Sequence, residues 1–91
     1  MSWDVARQKI GRLAELQEGW DSYGGLVPSP DTLAKAVRWT HFLERMGVKP
    51  PRAVVCSSGG EIVFEFSNDI ELYFNDGVRF EDVATDEIVT L

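Results

Sequence analysis

Apolar residues recur along the first half of the chain at intervals of three and four, and beyond Pro50-Pro51 at intervals of two. The first spacing is that of a helix with one buried stripe, the second that of strands with one buried face. From Trp3 to Gln17, the residues Trp3, Ala6, Ile10, Leu13 and Ala14 share a stripe, with Val5 and Leu16 at its margins, and Ser2 stands where an N-cap belongs. Gly19 is the stop signal, and Gly19 to Pro30 holds too many glycines and prolines to be anything but a loop. A second helix opens at Ser29-Pro30-Asp31: Ser29 caps, Pro30 needs no N–H partner in the first turn, and Asp31 complements the dipole. Leu33, Ala36, Val37, Thr40 and Leu43 form its apolar surface, together with the neighbouring Trp39, Phe42 and Met46. Gly47 then ends the helix in a left-handed cap.

The period-two region predicts strands at Arg52–Cys56, Glu61–Phe66, Ile70–Phe74 and Val78–Glu81, with a short fifth at Glu87–Leu91. Ser57-Ser58-Gly59-Gly60, Asn68-Asp69 and Asn75-Asp76-Gly77 supply the turns, and Asp76-Gly77 is expected to provide the positive φ of a tight hairpin. The fold class is therefore α+β: two N-terminal helices packed on one face of a four- to five-stranded antiparallel β-meander. Residues 1–91 read as a single domain, helical over 1–50 and strand-rich over 52–91. Alternation sends Ile62, Phe64, Phe66, Ile70, Leu72, Phe74, Val78 and Phe80 toward the helices. It leaves Glu61, Val63, Glu65, Glu71, Tyr73, Arg79 and Glu81 on the other face.

Charge divides at the same place as the periodicity. Residues 1–52 carry eight Lys or Arg against six Asp or Glu, a balance of +2; residues 53–91 carry Arg79 alone against nine, a balance of −8. So acidic a half disfavours a direct nucleic-acid ligand, because phosphate binding needs clustered cations, and it favours a basic protein surface as partner, or plain solubility. A hydrophobic content of 44% is enough for a true core. The lone Cys56 rules out an intrachain disulfide and a thiolate zinc site. With neither a secretory leader nor an apolar run of membrane-spanning length, the expectation is a cytoplasmic protein with no membrane partner.

Gly19-Trp20-Asp21-Ser22-Tyr23-Gly24-Gly25 is the most distinctive run in the chain. It resembles a Gly-Trp-Asp-x-x-Gly motif, followed by a small residue and a proline-containing helix start, that occurs in a group of small bacterial and phage proteins with a helical first half and a strand-rich second half. Gly19, Trp20, Asp21 and Gly24 match it, and Gly25 stands where alanine is commoner. The resemblance implies the fold and carries no activity. Physically, Trp20 is expected to bury its ring beneath the loop and Asp21 to accept backbone N–H bonds in an Asx-type turn, fixing the two helices together. The alternative is that the loop is a recognition hot spot presenting Tyr23 and Asp21.

The remaining candidate is the carboxylate-rich sheet face. Glu61, Glu65, Glu71 and Glu81 around Tyr73 form either a solvated face that discourages aggregation or a negative surface that meets a basic groove. Catalysis has little to stand on. His41 and Cys56 are single residues far apart in sequence, the Ser57–Gly60 turn lacks the lysine and helix of a phosphate loop, and no metal-ligand spacing occurs. The sequence thus predicts a non-enzymatic acidic binding module without cofactor or metal. Its sharpest form is an antitoxin-like or phage anti-defence inhibitor that occupies a basic, nucleic-acid-handling surface. The alternative is an assembly subunit forming a homodimer through its oppositely charged halves.

Overall fold

A computed structural model describes residues 1–91. Helix α1 spans Trp3–Leu13 and α2 spans Pro30–Arg45, followed by β1 (Ala53–Cys56), β2 (Ile62–Glu65), β3 (Ile70–Phe74), β4 (Val78–Asp82) and β5 (Glu87–Thr90). The strands pair antiparallel with their chain neighbours in the order β1-β2-β3-β4-β5, so the α+β meander read from the sequence is the observed architecture.

The helix boundaries follow from local chemistry. Ser2 Oγ accepts from the Val5 N–H and Ser29 Oγ from the Thr32 N–H, satisfying donors that have no partner within the helix. Gly47, at φ 77°, closes α2 while Val48 N–H reaches back to the Leu43 carbonyl. Only glycine takes that backbone region without strain. Helix α1 is shorter than the pattern predicts: after Leu13 the N–H groups of Glu15 and Leu16 bond three residues back, to Arg12 and Leu13, so the last turn tightens and the chain departs before Gln17. The β3–β4 turn also differs from expectation. Asp76 and Gly77 have no positive φ, and the Asn75 N–H closes the turn onto the Gly77 carbonyl at 3.1 Å; Asp69 (φ 61°) and Asp86 (φ 59°) hold the left-handed positions in the flanking turns.

The core lies between the helices and the inward face of β1–β3. Phe64 and Phe74 meet with ring centroids 4.7 Å apart, and Trp3 of α1 and Trp39 of α2 close on them at 6.4 and 6.0 Å respectively. Trp3 Nε1 also donates to the Val48 carbonyl at 2.9 Å, which ties the start of α1 to the chain leaving α2. Arg7 joins the helices a second time, through Glu44 at 3.0 Å and Thr40 Oγ1 at 3.3 Å. Helix α1 rests on β1 and α2 on β2 and β3, while β4 and β5 extend beyond the helix layer. The expectation that Phe66, Ile70 and Phe80 are covered by the helices is met only in part. They are half-buried, lining an open groove beside Leu43 and Val48, because the layer stops short of them.

Candidate functional site

The face of the sheet turned away from the helices gathers the predicted acidic residues. Register sets Glu65 opposite Glu71 and Glu71 opposite Glu81, a row of carboxylates running across β2, β3 and β4. One step along the strands lies a second row, Val55, Val63, Tyr73, Arg79 and Thr90, reaching across all five strands. Val63 is only 4% exposed although it lies on this outer face, where Val55 and Tyr73 flank it. Beneath the charges there is thus an apolar floor.

Arg79 organises the face. Its Nη1 meets Glu61 Oε2 at 3.1 Å, its Nε meets Glu81 Oε2 at 2.9 Å, and its guanidinium carbon sits 4.2 Å from the centroid of the Tyr73 ring. A cation over the face of a tyrosine is attracted by the negative face of the ring. The Tyr73 hydroxyl donates to Glu71 Oε1 at 3.3 Å. Burial, followed by the charges of Glu71 and Glu81, pushes the Tyr73 pKa up and keeps that hydroxyl a proton donor. Glu65 has neither an ion-pair partner nor a side-chain hydrogen bond. One cation therefore serves four carboxylates, and it is committed to the Glu61 and Glu81 ends of the cluster. The sequence signal for Arg79 was its isolation as the only Lys or Arg in residues 53–91.

The Gly19–Gly25 loop is built around Asp21. Asp21 Oδ1 accepts from the N–H groups of Tyr23 at 3.0 Å and Gly25 at 2.8 Å, and Oδ2 accepts from the Ser58 hydroxyl. The Gly19 N–H closes the loop onto the Gly25 carbonyl at 2.8 Å. Gly25 is buried against the Asp21 carboxylate, and a Cβ at that position would stand 2.6 Å from Oδ1. Glycine is thus required for as long as the carboxylate holds this place, even though alanine is commoner there in the motif the loop resembles. Two expectations are corrected. Trp20 does not insert beneath the loop; it is 36% exposed and donates Nε1 to the Leu26 carbonyl at 2.9 Å. Nor does the loop fasten helix to helix. Through Ser58 and the bridge between Leu26 and Gly59 it fastens to the β1–β2 connection, because the partners that satisfy Asp21 and Leu26 lie there. Tyr23 is 91% exposed at the tip, and Gly24 beside it is held at φ 78°.

These donors, the Ser58 hydroxyl foremost and then Tyr23 N–H, hold the Asp21 carboxyl below its ordinary value of 3.8. A depressed carboxylate pKa contributes stability that is complete above the ordinary value and is lost as pH falls through the folded-state value. Asp21→Asn is accordingly expected to unfold at lower denaturant at neutral pH and to lose less of its remaining stability on acidification below about pH 4. Matching acid limbs for the two proteins in urea melts would remove Asp21 as the loop's electrostatic anchor.

Comparison with models of protein families, with curated proteins and with solved structures yields no match. His41 is exposed on α2, whereas Cys56 is half-buried in β1 with its thiol directed to the Ser57 carbonyl at 3.3 Å. Burial, with a smaller effect from the Asp21 charge, raises the thiol pKa, the opposite of what a nucleophile requires. No helix is long and apolar enough to cross a membrane.

Proposed function

We propose that the protein is a non-enzymatic binding module whose outer sheet face occupies a basic protein surface. The observation that carries this reading is the registered row of Glu65, Glu71 and Glu81. Like charges directly opposite one another on neighbouring strands destabilise a sheet. A face designed only for solubility would alternate signs, as mixed surfaces do. Here Arg79 relieves only the Glu81 end of the row, and the unrelieved end lies above the apolar floor of Val63 and Tyr73. An anionic rim of this kind is suited to receive a guanidinium or ammonium group, which would satisfy the carboxylates that Arg79 leaves unpaired.

In its sharpest form the reading is that of an inhibitor. Basic surfaces of this kind are typical of proteins that handle nucleic acid, and a small acidic domain seated on one excludes the phosphate backbone. Small size and acidic charge alone support an antitoxin-like or anti-defence role, by analogy; the loop motif adds nothing to it. Calorimetric titration with nona-arginine at stepped salt concentrations tests the face. Binding is expected to weaken steeply with salt, and Glu65→Gln with Glu71→Gln to cost about tenfold in affinity, while Glu18→Gln, away from the sheet, costs nothing. Salt-independent binding, or equal affinities for all three proteins, would count decisively against the acidic face as the site.

A further inference from the structure

The helix side of the sheet is covered over β1–β3 and at Val78 of β4, half-covered at Phe80, and bare along β5. Phe80 lies opposite both Leu72 and Val89, so Val89 points to the same side as the core. Val89 is nevertheless 49% exposed, and Leu91, whose N–H bonds the Val78 carbonyl, is 62% exposed. Beside this floor rises the outer flank of α2, where Phe42 is 48% and Met46 64% exposed, and Trp39 stands edge-on to Phe42. A groove lined by Leu43, Phe66, Ile70 and Phe80 joins floor to wall. The molecule thus has an apolar step, half a sheet below and one helix flank beside it, larger than the scattered apolar residues normal on a monomer.

We propose that a second copy of this chain fills the step in a two-fold pairing. The exposed Val89 and Leu91 of each β5, with the half-covered Phe80 beside them, face their equivalents in the other copy, and each β5 lies along the α2 flank of the other copy. The heights agree: a helix is about 10 Å across and stacked sheets lie about 10 Å apart, so the second sheet fits into the layer that α2 already occupies. The arrangement is self-complementary, floor on floor and edge against wall, as a two-fold interface requires. A two-fold axis along the strands keeps the Met46 end of α2 level with the β4–β5 turn of the other copy. Charges match there as well. Arg45 at that end of α2 has no ion-pair partner within the chain, and neither have Asp86 and Glu87. The pairing also resolves the condition of β5, an edge strand of Glu87-Ile88-Val89-Thr90 with every residue exposed and with no lysine, proline or bulge to guard it. It leaves both acidic outer faces open on opposite sides of the dimer, and so does not depend on the binding function proposed for them.

Sedimentation over a concentration series, with light scattering after gel filtration, tests the pairing. The wild type is expected to reach twice the 10.2 kDa chain mass. Met46→Glu with Val89→Glu, which puts like charges on both contacting surfaces, should run as a monomer with an unchanged far-ultraviolet circular dichroism spectrum. Should that variant not fold, Arg45→Glu, on the exposed side of α2, decides: it is expected to weaken the dimer about tenfold, and adding Glu87→Lys to the same chain to restore it. A monomer at every concentration overturns the proposal. So does a dimer indifferent to these changes, or one dissolved by Glu71→Lys, which would place the contact on the acidic face.

Discussion

Trp3→Ala is expected to cost about 3–5 kcal/mol, among the largest losses from any single side chain. Trp3 is 6% exposed, closes on Phe64, and is the only side chain of α1 that hydrogen-bonds the segment between α2 and β1. Removing it opens a cavity at the junction of α1, β1 and that segment. A domain of this length has little in reserve, since natural stabilities run at about 5–15 kcal/mol and short chains lie at the low end. Urea melts should show the midpoint collapsing, or no folded baseline at all. Trp3→Phe separates the two contributions: it retains most of the burial and loses the bond to the Val48 carbonyl, at a cost of about 1 kcal/mol beyond its packing loss. Trp20→Ala is the contrasting case. Its exposure and single hydrogen bond limit the expected loss to about 1 kcal/mol. A larger loss at Trp20 than at Trp3 would show that the loop, and not the α1 junction, holds the fold together.

The second large effect belongs to Arg79→Ala, and it has opposite signs in two measurements. Stability should fall by about 2 kcal/mol, from two half-exposed ion pairs and the stacking on Tyr73, together with the repulsion they had offset. Added salt should recover much of this loss, because the repulsion between the orphaned carboxylates is screened. Affinity for a polyarginine probe should rise at the same time, since Glu61 and Glu81 are released to an outside cation. A purely structural Arg79 would reduce stability and leave binding unchanged or weakened. Glu71→Gln should do the reverse, gaining a few tenths of a kcal/mol in the melt while losing affinity.

Local signals made most of the fold legible. Ser2, Ser29, Pro30 and Gly47 acted at the positions where capping chemistry placed them, and period two assigned the sheet faces correctly down to Val63 and Tyr73. What escaped the sequence was tertiary. Nothing in the spacing of apolar residues says that two helices cover three strands of five, so Phe66 and Phe80 read as core when they line an open groove. Trp20 reads from the sequence as the buried anchor of its loop and Trp3 only as one residue of a helical stripe, whereas Trp3 is the buried one. The difference lies in whether a sheet lies beneath the ring, and that depends on contacts as distant as Trp3 with Val48. The acidic face was legible as a face. Its row-by-row register and the commitment of Arg79 to Glu61 and Glu81 required the strand pairing.

Strand order in this sheet is chain order, and this bears on how the molecule assembles. Every strand after β1 finds its partner one short turn away, so the sheet can grow hairpin by hairpin with little loop-closure entropy at each addition. The docking of α1 differs, because the bond from Trp3 to Val48 spans 45 residues and its ring must wait for Phe64 to be in place. Contact order therefore divides the chain differently from charge or secondary structure: a fast local meander, then a slow closing step in which the first helix to be made is among the last to be fixed.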